Sequence, residues 1–353
     1  MKTISRLAPA LVALSCLSIL PAAASGETAP PATPTPPATS TPVVVPPAAG
    51  KIKLVLQKVS GKPRFAATGQ RVVVRGIVIP YVAGQSVKMS FYLDGHKISV
   101  QNVSVLNLGN GAGQFHVGIA SRNAGLLQAR AAHYATPQQA AFAGKSAGVR
   151  VANPNVGPGS SGESVKFLQD QLSALHYAVP TSGVFDEATG LALIAFRKMT
   201  GLNRIPVAGS EVFKALSKGE GAFPVRYPDD GRHVEANLTK QVLAEIEPGG
   251  RIHAIYTTSS GKPSTPTVIG RFSVYRKEPG TNSEGMVDSN YFIRGYAIHG
   301  YAEVPTYAAS HGCLRVPIPD APMIYAWVRE GTPVDVYNQS GGGSTHVRGN
   351  AGP

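Results

Sequence analysis

Residues 51–152 alternate between apolar and polar positions in short runs that are separated by turn residues. Alternation with a period of two is typical of strands that bury one face. Asp94-Gly95 is a turn signal of this kind, and regular spacing of such runs predicts an antiparallel sandwich. The runs with the clearest alternation lie at 52–56, 71–79, 87–93 and 114–119.

The period changes to 3.6 after residue 161, which predicts a small bundle of three helices over residues 158–220. Ser161 is the expected N-cap of the first helix. Asp186 is the expected N-cap of the second, and Gly201 should end it. A short third helix is expected near 212–216. The apolar face of the first helix comprises Val165, Leu168, Leu172 and Leu175.

Residues 223–338 return to short alternating runs and predict a mostly β domain that one helix interrupts. Asp320 is the expected N-cap of that helix and Gly331 its stop, with Trp327 in the core. The expected strands lie at 234–238, 241–246, 251–258, 270–275, 291–298 and 334–337.

The two ends of the chain have compositions that do not predict a packed core. Residues 1–25 combine Lys2 and Arg6 with an apolar stretch and small residues, as a secretory signal peptide does. Residues 26–50 are rich in Pro, Thr and Ala and predict an extended tether. Residues 339–353 predict a flexible, Gly-rich tail. We therefore expect a secreted protein that faces the cell wall or periplasm, although an uncleaved anchor is the alternative.

The charge balance indicates an anionic partner outside the cell. The chain has 33 basic and 20 acidic residues, and loss of the signal peptide leaves a net charge of +11, which we expect to be spread along the chain. Anionic cell-wall polymers fit this charge, and charge that serves solubility alone is the alternative. We expect no nucleic-acid partner, because the chain is predicted to be exported and no basic run is interleaved with aromatic residues.

Cys313 is the one cysteine that remains after removal of the predicted signal peptide, which contains Cys16. A secreted chain with one thiol has no intramolecular disulfide, so its stability must come from hydrophobic cores. Cys313 lies in a Ser-His-Gly-Cys run, and His299 is followed by a second glycine upstream. A histidine can activate a thiol at neutral pH, which makes Cys313 a candidate nucleophile.

These motifs resemble those of known families. Ile298-His299-Gly300, followed by Ser310-His311-Gly312-Cys313-Leu314-Arg315, resembles the L,D-transpeptidase (YkuD-type) signature. The landmarks of 158–220 resemble the peptidoglycan-binding module of the three-helix type. Residues 51–152 resemble immunoglobulin-like modules by pattern alone. The resemblances imply a multidomain protein with a sandwich spacer, a wall-binding helical module and a mostly β catalytic domain.

The transpeptidase resemblance implies catalytic roles within the motif. Cys313 would attack a peptide carbonyl and form a thioester, and His299 would be the general base. His311 would shape the site and Ser310 would support it. Backbone amides near Gly312 and Cys313 would form the oxyanion hole.

The same resemblance implies a substrate and the residues that bind it. Peptidoglycan stem peptides and glycan are the expected partners, with a tetrapeptide donor ending in D-Ala, a diaminopimelate-type acceptor and thiol acylation by carbapenems. Arg315 would bind a substrate carboxylate, and Gly300 would let the substrate approach the backbone. We expect a monomer without metal or organic cofactor. The tyrosines expected to line the cleft are Tyr291, Tyr301 and Tyr307.

Several alternatives stay open at the level of sequence. Cys313 could be a small buried core residue, or His299, His311 and Cys313 could bind zinc, although no H-E-x-x-H motif accompanies them. Water as the acceptor would give an L,D-carboxypeptidase. A protein that only binds the cell wall, without catalysis, is the alternative from a different class.

Overall fold

The computed structural model describes residues 46–59, 61 and 63–338. The predicted signal peptide with Cys16, nearly all of the predicted tether and the predicted tail lie outside the described residues. Among the described residues, no helix has both the length and the apolar character needed to cross a membrane.

The first part of the described chain forms two β-sheets. One has the strand order β1-β3-β7-β6, and the other has the order β2-β10-β8-β4-β5 with β9 also paired to β8. The strands are β1 (Lys51–Gln57), β2 (Phe65–Ala67), β3 (Val72–Ile79), β4 (Ser86–Leu93), β5 (His96–Ser104), β6 (Leu106–Asn107), β7 (Gly113–Ile119), β8 (Gly125–His133), β9 (Phe142–Lys145) and β10 (Val149–Ala152).

Alternation of side chains explains these sheets. In β3, Val72, Val74 and Val78 are buried while the residues between them are more exposed, so each strand contributes one face to an apolar core. The prediction of a purely antiparallel sandwich is wrong in one place, because β2 and β10 pair in parallel. The predicted tether also extends too far, since Ala48 already pairs with Gln139. The immunoglobulin-like resemblance stays a prediction.

Three helices follow the sheets: α1 (Glu163–Ala174), α2 (Glu187–Thr200) and α3 (Ser210–Ser217). Both predicted boundaries of α2 are confirmed, because the Asp186 carboxylate accepts the Thr189 N–H at 2.8 Å and Gly201 is left-handed with φ 74°. The predicted N-cap of α1 is wrong. Gly162 occupies that position without a side-chain cap, and Ser161 pairs with Val184 instead.

The last part of the chain is mostly β, as predicted. One sheet has the order β13-β12-β11-β19-β14, and a second has the order β15-β16-β17-β18. The elements are β11 (His233–Asn237), β12 (Val242–Glu247), β13 (Arg251–Thr257), β14 (Gly270–Ser273), β15 (Arg276–Thr281), β16 (Val287–Ile293), β17 (Tyr296–Tyr301), β18 (Leu314–Pro317), α4 (Ala321–Trp327) and β19 (Pro333–Tyr337).

Two predicted elements of this part need correction. The expected strand 291–298 is two strands, β16 and β17, because the chain turns at Arg294 and Gly295. The expected helix from Asp320 to Gly331 is shorter. It ends at Trp327, and Asp320 belongs to a preceding 3₁₀ turn without capping α4 through its side chain. Trp327 is buried, as predicted.

The helical part and the last part share a core. Phe196 of α2 and Ile255 of β13 belong to one buried apolar cluster, which also includes Phe65 of the sandwich. The backbone of Ile255 exchanges hydrogen bonds with His176 and Ala178, which extends the sheet beyond β13. The sandwich, the helical part and the last part therefore share contacts and a common apolar core.

Candidate active site

Two parallel strands, β17 and β18, carry the sequence motifs that define the candidate site. Their register pairs Ile298 with Leu314 and His299 with Arg315. Cys313 directly precedes β18, so continuing the register places it beside Ala297. If the alternation of β18 extends one residue towards its start, Cys313 is on the same side of this sheet as His299.

The turn that presents Cys313 is fixed by the hydroxyl of Ser310. This side chain is 1% exposed, donates to the Cys313 carbonyl at 2.6 Å and accepts the Gly312 N–H at 3.0 Å. Since the Gly312 N–H is already bonded, it is not free to stabilise an oxyanion. Of the two amides predicted for the oxyanion hole, the Gly312 N–H is thus engaged by Ser310, and the Cys313 N–H stays the predicted donor.

Gly312 is required by its surroundings. Its φ is 126°, which side chains rarely adopt, and a Cβ atom would lie 1.9 Å from Cε1 of Tyr296. The Gly312 carbonyl accepts the Thr267 hydroxyl at 2.7 Å. The tyrosine ring and the threonine thus hold the turn from two sides.

His299 is 2% exposed, and its Nδ1–H donates to the Gly300 carbonyl at 2.9 Å. This bond fixes the tautomer in which Nε2 is the free acceptor. The pKa of His299 is lowered to about 4, mainly by burial and to a smaller extent by the Arg315 charge, against the opposing effect of the Gly300 carbonyl. The imidazole is therefore neutral and able to take a proton at neutral pH.

Cys313 is half-buried, and its thiol points to the Gly295 carbonyl at 3.7 Å. Burial raises the pKa of the Cys313 thiol, while the Ala297 backbone and Arg315 lower it less strongly. With a raised thiol pKa and a lowered histidine pKa, the resting pair is neutral rather than a thiolate and an imidazolium.

Arg315 is anchored beside both groups. Its guanidinium lies 4.0 Å from the ring centroid of Tyr301. Its backbone pairs with Ser259, and its carbonyl also accepts the Thr258 hydroxyl at 2.7 Å. Tyr301 also meets the His299 ring edge-on at 5.7 Å between centroids. The cation is therefore held at the site by an aromatic face and a fixed strand.

The remaining predicted site residues occupy different places. His311 is exposed and receives a hydrogen bond from the Lys262 ammonium at 3.2 Å. Gly300 packs tightly, because a Cβ atom there would lie 2.7 Å from Cβ of Ala321. It therefore serves packing within the domain, and the structure shows no open space at this position for a substrate.

The three tyrosines predicted to line the cleft lie in three different environments. Tyr301 contacts His299 and Arg315, as described above. Tyr291 is buried, and its hydroxyl donates to the Glu278 carboxylate at 2.8 Å. Tyr307 is 63% exposed, and its carbonyl rather than its ring contacts Ser259.

Two supporting residues were missed from the sequence. Tyr296 lies at the start of β17, and its packing against Gly312 depends on strand pairing that local sequence does not encode. Thr267 belongs to the Thr-Pro segment upstream, and its hydroxyl joins the Gly261 N–H to the Gly312 carbonyl. For Thr267, the sequence signal was a threonine that directly follows a proline in a predicted turn.

Within the described residues, no three His, Cys, Asp or Glu side chains come together in the manner of a metal site. The zinc alternative therefore has no set of ligands in that part of the chain.

Comparison with known families identifies two domains in this chain. Residues 231–336 match the model of the L,D-transpeptidase catalytic domain, YkuD. A solved L,D-transpeptidase from Xylanimonas cellulosilytica DSM 15894 is 34% identical, with 53% of this chain and 98% of that chain covered and a TM-score of 0.49. The chain belongs to the L,D-transpeptidase family. Residues 161–216 also match the family described as "Putative peptidoglycan binding domain".

Other solved L,D-transpeptidases are more distant from this chain. One from Enterococcus faecium is 29% identical, with 30% of this chain and 50% of that chain covered and a TM-score of 0.26. One from Mycobacterium tuberculosis H37Rv is 12% identical, with 80% of this chain and 96% of that chain covered and a TM-score of 0.28. Comparison with curated proteins gives no match.

Proposed function

We propose that this protein is an L,D-transpeptidase that acts on peptidoglycan stem peptides through a thioester on Cys313, with His299 as the general base. The observation that supports the proposal is the β17–β18 register, which sets the half-buried Cys313, at the start of β18, next to the strand that carries the buried His299. A buried core cysteine would not need the fixed turn and the oriented histidine that surround it.

In the first half of the reaction, the Cys313 sulfur attacks the carbonyl carbon of the scissile peptide bond. Because the resting pair is neutral, His299 Nε2 takes the thiol proton as the S–C bond forms, and it then passes that proton to the leaving amine. The C–N bond breaks and a D-amino acid departs. In this proposal the Cys313 N–H donates to the developing oxyanion.

In the second half, an amine of an acceptor stem peptide attacks the thioester. His299 takes the proton of that amine and returns it to the sulfur, which leaves a new amide bond and the free thiol. Arg315 is the cation available for a substrate carboxylate, since its planar guanidinium offers paired donors beside the nucleophile.

Intact mass spectrometry after carbapenem treatment tests this assignment. The lactam C–N bond opens as the Cys313 sulfur bonds to its carbonyl, so the wild type should gain the mass of one carbapenem. Cys313→Ala should gain nothing, and His299→Ala should react much more slowly. An unmodified wild type, or an equal adduct on Cys313→Ala, would refute the nucleophile and favour a protein that only binds the wall.

A second assay separates transfer from hydrolysis. Stem tetrapeptide is incubated with the enzyme, with and without an amine acceptor, and the products are identified by mass. A cross-linked product supports the transpeptidase, whereas release of tripeptide at the same rate in both reactions identifies an L,D-carboxypeptidase.

We also propose that the chain is exported and that residues 161–216 bind the peptidoglycan glycan. The first part rests on the signal-like composition of residues 1–25, and the second on the family match. The mass of the protein recovered outside the cell would show whether residues 1–25 are removed. Sedimentation of the full chain with purified peptidoglycan would show binding.

A further inference from the structure

The positive charge of the chain is concentrated in one part. Residues 51–152 contain thirteen Lys and Arg but a single acidic residue, Asp94. Residues 153–338 contain 17 basic and 18 acidic residues, so they are close to neutral. The expectation that the charge is spread along the chain is therefore wrong, and the β-sandwich accounts for nearly all of it.

Four of these cations share the outer face of one sheet. Val87, Met89 and Phe91 of β4 point into the core, so the residues between them point outward. The strand register places cations of β9, β8, β4 and β5 on that side, and all are exposed. We name this surface the cationic face, and it consists of Lys88, Lys97, Arg130, Lys145, Tyr92 and Tyr134.

Among the described residues, no acidic side chain forms an ion pair with the cationic face. Asp94 lies in the β4–β5 turn, and its carboxylate accepts the Leu126 N–H at 2.7 Å. The two tyrosines position cations without cancelling their charge. The Arg130 guanidinium lies 4.5 Å from the ring centroid of Tyr92, and the Lys88 ammonium lies 5.8 Å from that of Tyr134.

Two cavities open on this face and share Lys88 and Tyr134 in their walls. The first has a volume of about 620 Å³ and is lined by all six residues of the cationic face. The second, of about 550 Å³, is lined by amide side chains, including Asn102 and Gln138. The two cavities therefore adjoin at Lys88 and Tyr134, and cations line the first while amides line the second.

The amide-lined cavity contains buried polar atoms without a partner among the described residues. These atoms are Oε1 of Gln85 and Nε2 of His133, and both side chains are more than nine-tenths buried. Both atoms are shielded from solvent, so a ligand in this cavity would meet the exposed side-chain amides of Asn102 and Gln138 instead. Hydroxyl and amide groups of a sugar are suitable partners, since each can donate or accept.

We propose that the cationic face and the adjoining amide-lined cavity bind an anionic polysaccharide. The cations would pair with acidic groups that repeat along the polymer, and the amides and tyrosine rings would contact its sugar units. This inference does not rest on the proposed transferase activity. Binding would hold the protein on an acidic wall polymer while the last domain acts on peptides.

The test measures binding of the full chain to polyglucuronate, with uncharged dextran, phosphatidylglycerol vesicles and a single-stranded oligonucleotide as comparison probes. The test variant is Lys88→Gln/Lys97→Gln/Arg130→Gln/Lys145→Gln. The matched control is Lys51→Gln/Lys53→Gln/Arg71→Gln/Arg122→Gln, which removes the same charge from exposed residues of the sandwich outside the cationic face. Circular dichroism and thermal unfolding establish that both variants are folded.

We expect polyglucuronate to bind with an affinity that falls as salt rises, and dextran not to bind. The test variant should bind roughly tenfold or more weakly, and the control should lose less than about threefold. Equal losses in both variants would refute a localised site. Absence of polyglucuronate binding, or tighter binding to the vesicles or the oligonucleotide, would overturn the proposed partner.

Discussion

The ammonium of Lys198 in α2 donates a 2.8 Å hydrogen bond to the carbonyl of Thr258, just beyond the end of β13. Lys198 is 1% exposed and also donates to the Gln241 carbonyl and the Thr257 hydroxyl. Thr258 in turn donates to the Arg315 carbonyl. A buried cation of the helical part is thus two hydrogen bonds away from the strand that carries the candidate site.

We expect Lys198→Met to lower both the stability and the acylation rate of the protein. Methionine is similar in length but leaves three oxygens without their donor, which should cost about 2–4 kcal/mol of unfolding free energy. Urea unfolding and the rate of carbapenem adduct formation are the two measurements.

Lys240→Met is the matched control for this change. Lys240 lies between β11 and β12, and its ammonium donates to the carbonyl of Met199 in α2, so it also joins the last part of the chain to the helical part. Unlike Lys198, it is only half-buried and makes this one side-chain hydrogen bond among the described residues. We expect a loss of at most about 1 kcal/mol. If the two variants lose the same unfolding free energy, the three hydrogen bonds of Lys198 do not stabilise the protein more than the single bond of Lys240.

The stability gap between wild type and Lys198→Met should depend on pH. Burial, with a smaller effect of Arg204, lowers the pKa of Lys198 from 10.5 to about 7. Between these values the unfolded chain holds a proton that the folded chain has lost, so Lys198 makes the folded state more stable as pH rises. Urea unfolding at pH 6, 7.5 and 9 should show the gap widening by up to about 1.4 kcal/mol per pH unit above pH 7. A constant gap would contradict the lowered pKa.

Local chemistry explains what the sequence could predict. Asp186 and Gly201 set the ends of α2 because a cap and a left-handed glycine act within one turn, and the Ser-His-Gly-Cys run is contiguous. The turn at Arg294 was missed because an arginine, with φ 49°, occupies a conformation that usually signals glycine. Lys198 was missed because a lysine in an amphipathic helix is normally exposed, and only tertiary docking buries it.

Gly312→Ala should disrupt the candidate site, because the new Cβ would overlap the Tyr296 ring at a φ that alanine avoids. We expect a loss of about 2 kcal/mol or more in unfolding free energy and a much slower carbapenem reaction. Gly295→Ala is the control, since its Cβ would meet nothing within 4 Å and its φ is ordinary. That change should alter stability by less than about 0.5 kcal/mol. Similar losses in both variants would mean that Tyr296 does not constrain the turn.

The neutral resting pair of Cys313 and His299 predicts the pH profile of acylation. Since the pKa of His299 is lowered to about 4, the base stays unprotonated through pH 5, where an ordinary histidine would be charged. The acid limb of the carbapenem acylation rate should therefore lie near pH 4 rather than pH 6.5. Because the Cys313 pKa is raised, alkylation by iodoacetamide should be slow at pH 7 and should increase into the alkaline range. Fast alkylation at pH 6, together with an acid limb near pH 6.5, would instead indicate a preformed thiolate and imidazolium.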